Sequence, residues 1–220
     1  MSTNCKLTIS VVLDTVCPWC YVGARRLSKA LVLAKQKWPE FEATVEYVPF
    51  QLDKSMGKGL NKAAVYEKKF GSRMAEMNER LAEAGKEEGI AFKFGGKMSN
   101  TLDSHRLIDY AKLSGSSDTE EKVVKSLFRR YFEQEEDIGD HDVLLGAAED
   151  AGLDRQQAKA YLESSDGVEA LQERMRQVKK LGVTGVPFYI INNRFGVSGA
   201  ETPETFVSSF KQVFECTECH

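Results

Sequence analysis

The sequence predicts an α/β protein in which a strand–helix–strand unit and a strand–strand–helix unit flank a long helical block. Three observations point there. "KLTISVVLD", Lys6 to Asp14, alternates and is β-branched, which marks a strand. About half the chain then shows apolar residues at helical spacing, with no strand of consequence. Strand signals return at "VPFYIINNRFGVSG" near the end.

Each element has its own signal. Pro18 suits the first turn of a helix, where a missing N–H costs nothing. "WCYVGARRLSKALVLAKQKW" continues as a helix with Val22, Leu27, Ala30, Leu31 and Ala34 on one side, and Pro39 stops it. "FEATVEYVPFQL", Phe41 to Leu52, is a second strand. Strand, helix and strand at this spacing form a βαβ unit, whose two strands run parallel.

The middle is helical. Asn61 to Lys86 is rich in Ala, Glu, Lys and Met at helical spacing. A short apolar piece, "IAFKF", follows, and Leu102 to Leu113 is helical again. In "EEKVVKSLFRRYFEQ" two rows face one way: Val123, Leu127 and Tyr131, and beside them Val124, Phe128 and Phe132. Asp140 caps a helix running through Val143, Leu144 and Ala148. Gln156 to Leu162 is a shorter one. Val168, Leu171, Met175, Val178 and Leu181 define the last, which ends at Gly182.

The C-terminal part returns to strands. Asn192–Asn193 sits between two apolar runs as a hairpin turn. Thr202 is an N-cap with Pro203 at the first helical position. No repeat or low-complexity tract interrupts the chain. A helical block between two parts of one sheet reads as an insertion. The expected division is residues 1–55 with 180–220 as one domain, and 56–179 as an all-helical inserted domain.

Composition narrows the function classes. The 220 residues are 42% hydrophobic and 29% charged, enough for a buried core without disulfide staples. A net charge of -3 gives no broad basic surface for nucleic acid or an anionic membrane. The N-terminus shows no apolar signal region, and no window approaches the ~18 apolar residues of a membrane span. The expected location is the cytoplasm, where thiols stay mostly reduced.

The five cysteines cluster at the two ends: Cys5, Cys17, Cys20, Cys216 and Cys219. A structural disulfide framework would be spread differently. The pair in "LDTVCPWCYVG" reads as a redox dithiol, half of a metal site, or two inert thiols. Cys17 lies just before a helix, where unpaired N–H groups and the positive dipole end favour an anion. Cys20 lies one turn inside and can reach back. The expectation is an exposed attacking Cys17 and a shielded, resolving Cys20. A closed zinc site takes about four ligands. "CTECH", with Cys216, Cys219 and His220, could complete one, but nothing in the sequence places it beside Cys17, so no metal is expected. The tail has two other readings, a second redox pair or incidental thiols.

Pro187 opens a strand, where a ladder donor is lost. It reads either as a trans proline at a strand edge or as a cis proline after Val186. The cis turn would face the cysteines and leave backbone groups free for a substrate. Beside CPWC on a βαβ unit it is the better reading.

Together "DTVCPWCYVG", "NTLDSHRLIDYA", "GVTGVPFYIINN" and "VSGAETPETF" resemble the thioredoxin superfamily, and within it the DsbA-like branch with a helical insertion. The resemblance spans nearly the whole chain and is narrowest to FrnE-like dithiol oxidoreductases. It implies a thioredoxin fold (βαβ…ββα) and thiol–disulfide exchange on protein or small-molecule disulfides. Cys17 would be the nucleophile and Cys20 the resolving thiol. Val186, Pro187, Trp19, His105 and Asn100 would be substrate-binding. His105 would face the active site, and Trp19 would flank the sulfur as an apolar platform. The same group includes 2-hydroxychromene-2-carboxylate isomerases and kappa-class glutathione transferases, which typically carry a Ser where this chain has Cys17. A glutathione-dependent isomerase or transferase for small aromatic substrates is therefore the alternative. A redox-silent peptide-binding module is a third. The resemblance implies no resident cofactor, with glutathione as a possible co-substrate. The direction of exchange follows from the dithiol potential relative to a cytosolic glutathione poise of roughly -220 to -320 mV.

Elsewhere the sequence reads blandly. Arg25–Arg26 and the basic run from Lys54 to Lys69 are expected to be solvated helix faces. Met74 and Met77 are expected to be packing residues.

Overall fold

The computed structural model describes residues 6–115 and 117–217. The chain opens with β1 (Lys6–Leu13), α1 (Pro18–Lys37) and β2 (Glu42–Pro49). The middle holds β3 (Leu60–Asn61), α2 (Lys62–Phe70), a 3₁₀ turn at Gly71–Arg73, α3 (Met74–Glu88) and β4 (Lys97–Met98). Five helices follow: α4 (Leu102–Ser114), α5 (Ser117–Glu133), α6 (His141–Asp150), α7 (Arg155–Glu163) and α8 (Val168–Lys180). β5 (Phe188–Ile191), β6 (Phe195–Ser198) and α9 (Pro203–Thr217) close the chain.

The main sheet has the order β2-β1-β5-β6. β1 and β2 are parallel, with Lys6 opposite Glu42 and Leu13 opposite Pro49, as the βαβ reading requires. β5 is antiparallel to β1, and β6 to β5. Asn192 and Asn193 both take positive φ, the backbone that a tight hairpin turn between right-twisted strands demands. The fold is the thioredoxin fold with a helical insertion.

β1 is central and buried on both faces. Leu7, Ile9, Val11 and Leu13 point into the main core, and Val12 points the other way. α1 and α9 cover the first face, through Ala30, Ala34, Phe206 and Phe210. α8 covers the second, where Val178 and Val183 meet Val12. The main core continues into the helical block without a break. Both predicted rows of α5 are buried. Tyr21 of α1 is inserted between the two regions, stacked on Phe128 at 5.0 Å and on Phe132 at 6.0 Å.

Several elements differ from expectation. The Asn61–Lys86 stretch is two helices, because Gly71 takes φ +54° and the chain turns there. The helical block also contains a small ladder, with Leu60 opposite Met98 in β3 and β4. Strands of two residues are too short to show alternation. α8 ends at Lys180, so Leu181 is exposed rather than part of the apolar row. Arg26 is not a solvated cation. It pairs with Glu87 and Glu88 of α3 and donates to the Ala200 carbonyl at 2.8 Å. Lys62, within the run read as solvated, is 1% exposed. Its Nζ donates to the Tyr131 carbonyl at 3.1 Å and sits 4.0 Å from that ring's centroid. Burial brings its pKa down to about 8.

Glu120 of α5 is buried and accepts the Tyr47 amide N–H at 3.3 Å. Burial pushes its pKa up to about 7, against about 4.3 for an unfolded glutamate. Between those values the folded chain holds the extra proton, so this residue's contribution to stability falls as pH rises. Urea unfolding at pH 5 and pH 7.5 should show Glu120→Gln removing a pH-dependent loss on the order of 2 kcal/mol. An identical pH difference in wild type and variant contradicts the burial argument.

Candidate active site

The site is built at the end of β1. Cys17 N–H donates to the Asp14 carbonyl at 3.0 Å, which closes a tight turn. Cys17 is the N-cap of α1 in extended backbone (φ -89°, ψ 113°), and Pro18 is the first helical residue. No side chain caps this end and no acidic residue sits in the first turn. The positive end of the helix is therefore left to the Cys17 sulfur. Cys20 follows one turn later, its N–H on the Cys17 carbonyl at 3.0 Å.

Both thiols are free. Cys17 Sγ donates to the Val186 carbonyl at 3.6 Å, and the Val186–Pro187 peptide bond is cis. This brings the start of β5 against the start of α1, two segments far apart in the chain. The Cys20 thiol faces Cys17. Burial, then its hydrogen bond with Cys17, push its pKa well above the usual thiol value, so it is held as S–H. Cys17 departs from the expected exposed sulfur: it is only 5% exposed, against 1% for Cys20. The Val186 backbone partly covers it, and it opens onto a cleft rather than onto the outer surface.

That cleft holds about 690 Å³. It runs from Cys17 and Trp19 along α2 and α3, past Tyr66, Met74, Met77 and Met98. Trp19 lines the same cleft as Cys17. Met74 and Met77 face the cleft rather than serving only as packing. Its charged lining residues are Asp14, Asp53, Lys68 and Lys69. Burial, then the nearby Cys17 charge, raise the Tyr66 hydroxyl above the ordinary tyrosine range. Among the described residues, no three of His, Cys, Asp and Glu gather as a metal cluster. Cys5, Cys219, His220 and the side chain of Cys216 lie outside the described residues.

Two expected substrate contacts are placed elsewhere. His105 does not line the cleft. It is buried, its Nε2–H donates to the Phe50 carbonyl at 2.9 Å, and it lies 3.5 Å from Asp14 Oδ1. Asn100 is not a cleft residue either. It accepts from Gln51 and from Leu102 N–H and donates to the Lys54 carbonyl, each at 2.9 Å. These bonds fasten the 51–57 loop to the start of α4. Arg106, next to His105, is also buried and donates to the carbonyls of Tyr161, Leu162, Ser164 and Asp166. Carbonyls at the end of α7 have no partner within their own helix, and a guanidinium supplies one. The stretch "NTLDSHRLIDYA" therefore holds the helical block together.

Three site features escaped the sequence reading. Asp14 is buried; its Oδ2 accepts the Leu52 N–H at 2.7 Å and its Oδ1 has no hydrogen bond. The signal was a carboxylate closing an otherwise apolar strand. Tyr66 on the cleft wall gave no signal beyond its helix. Gly23 lies inside α1, where glycine costs about 1 kcal/mol relative to alanine. The cost was itself the signal: a Cβ there would collide with Tyr189 Oη and stand 3.2 Å from Pro187 Cγ. Gly23 lets β5 approach the helix that presents the cysteines.

Comparison with known proteins agrees with this fold. Residues 8–211 match the family described as DSBA-like thioredoxin domain. The uncharacterized protein YwbO of Bacillus subtilis is 25% identical over 209 residues, covering 91% of this chain and 95% of YwbO. A probable DsbA oxidoreductase from Streptomyces coelicolor has a structure that superposes with a TM-score of 0.85 at 27% identity, covering 95% of this chain and 90% of that one. A 2-hydroxychromene-2-carboxylate isomerase superposes at 0.75 with 17% identity, over 96% of this chain and 98% of its own. The chain belongs to the DSBA-like thioredoxin domain family.

Gly23→Ala tests the close approach. Denaturant unfolding should show a loss of about 1–3 kcal/mol from overpacking. Adding Tyr189→Phe should recover part of it. A Gly23→Ala protein as stable as wild type contradicts the contact.

Proposed function

We propose that this member of the DSBA-like thioredoxin domain family is an oxidoreductase using the Cys17–Cys20 dithiol for disulfide exchange on protein or small-molecule disulfides. One observation carries the reading. Two unpaired thiols lie one turn apart at the start of α1, the first opening onto an apolar cleft and the second shut behind it. The likeness to a probable DsbA oxidoreductase at 27% identity supports it.

The chemistry follows from that asymmetry. As a thiolate, Cys17 attacks one sulfur of a substrate disulfide and expels the other sulfur, which takes up a proton. The substrate is now joined to Cys17. Cys20 then attacks the Cys17 sulfur, breaking the mixed disulfide and forming the Cys17–Cys20 bond. Two electrons have passed from the protein to the substrate. With the pair oxidised, the same steps run in reverse. Trp19, Met74 and Met77 give the substrate an apolar bed beside the sulfur. Val186 offers its carbonyl at the reacting end. No resident cofactor is required; glutathione serves as co-substrate in restoring the pair. The setting is the cytoplasm, where a free dithiol persists. No described helix is long and apolar enough to cross a membrane.

A second reading, a glutathione-dependent isomerase or transferase, is favoured by the cleft alone. Its volume lies within the ~300–1,000 Å³ of small-molecule sites. Calorimetry with glutathione separates the two, since no binding at millimolar concentration removes the second.

Cys17→Ser should lower disulfide exchange on a model protein to background. Cys20→Ser should keep the first step and accumulate a mixed disulfide, seen by mass spectrometry. Full exchange activity in the Cys17→Ser protein overturns the assignment.

A further inference from the structure

We infer that Tyr189 supplies the hydrogen bond that stabilises charge on the Cys20 sulfur when Cys20 attacks the mixed disulfide. The inference rests on the dithiol reading above and assigns a residue to its second step.

Tyr189 is the second residue of β5, two positions after Pro187 and opposite Val11. It is fully buried, with its ring edge-on to Phe206 at 4.7 Å. Phenylalanine would serve that packing equally well. The hydroxyl instead has no hydrogen-bond partner. A buried, unpaired hydroxyl costs about 1–3 kcal/mol, and such a group calls for a reason.

Its position supplies one. Tyr189 Oη occupies the space a Cβ at Gly23 would take. Gly23 and Cys20 are three residues apart in α1, on one helix face. A Cβ at Gly23 would lean toward the helix start, so the space the hydroxyl fills lies on the Cys20 side of Gly23. The hydroxyl thus lies along the helix face that carries the resolving thiol, with no hydrogen bond to it in the dithiol state. After burial, the Cys20 charge is the largest influence on Tyr189, followed by Tyr47 and Cys17, with Arg26 opposing. These keep the hydroxyl protonated and therefore a donor.

In the dithiol state Cys20 is S–H, faces Cys17 and gives Tyr189 no partner. During resolution its sulfur becomes anionic while the Cys17–substrate S–S bond breaks and the Cys17–Cys20 bond forms. The electron pair leaves on the substrate sulfur, and the proton from Cys20 ends there. Tyr189 keeps its own proton throughout. A donor on the same helix face, free of any other partner, meets charge that appears only in the reacting state and accelerates that step.

The test uses the full chain with Tyr189→Phe, which keeps the ring and removes only an unpaired atom. Cys17 is loaded with glutathione as a mixed disulfide, and resolution by Cys20 is followed against pH by rapid quench. The ionisable groups around Cys20 are Cys17 and Asp14, and those around Tyr189 add Tyr47 and Arg26, all unchanged in the variant. Resolution should slow about ten- to a hundredfold, the loss of one hydrogen bond to a charged sulfur. Its pH midpoint should rise, while loading of Cys17 stays as in wild type and the thermal midpoint is no lower, since an unpaired buried hydroxyl is removed. An unchanged resolution rate and pH profile overturns the inference, as does equal slowing of both steps. A wild-type protein that never forms the mixed disulfide overturns the dithiol reading instead, and this inference with it.

Discussion

The turn from Asp14 to Cys17 holds the site together. It converts the end of a buried central strand into the start of a helix within four residues. The Asp14 carbonyl holds the Cys17 amide, and the Asp14 carboxylate holds Leu52 at the cleft entrance. Thr15 shares a 2.7 Å hydrogen bond with Ser104 of α4. One turn beyond, Tyr21 stacks into the core of the helical block. The cysteine pair is therefore fastened to sheet, loop and insertion at once. That matters for exchange chemistry, which needs two sulfurs to meet in one geometry.

The helical block divides its labour around that point. α4 and α7 are joined through buried Arg106, and α5 supplies the aromatic ring on which Tyr21 of α1 stacks. By contrast α2, on the far wall of the cleft, buries only Lys62. The ammonium of Lys62 lies on a carbonyl and an aromatic face rather than against a carboxylate. A rigid floor carrying the thiols and a lightly packed wall facing them suit a site whose substrates differ in shape. The methionines along that wall fit the same purpose, since their flexible thioethers adapt to varied surfaces.

Much of this was legible in the residues. Period-two alternation in Lys6–Leu13 and the two apolar rows of α5 are strong patterns, and both elements formed where they pointed. Pro18 after Cys17 marked the helix start, and Asn192–Asn193 the hairpin. Other features were hidden for physical reasons. A basic run looks the same whether its lysines are solvated or, like Lys62, folded under an aromatic ring. His105 and Asn100 are polar residues in a distinctive stretch, which reads as a ligand site until their bonds to Phe50, Lys54 and Leu102 are seen. Cys17 was expected at the surface because a nucleophile must be reached. The cover over it comes from Val186, some 169 residues away, and no local pattern encodes that. Gly23 was the clue not taken, a helical glycine whose reason is a tyrosine on a distant strand.

The central claim is that Cys17 and Cys20 interconvert between dithiol and disulfide. Equilibrating the protein in glutathione buffers of graded potential, then quenching and counting free thiols by mass, tests it most directly. The account predicts one reversible two-electron transition that removes both thiols together. Cys17 and Cys20 remaining alkylatable at every potential would contradict it.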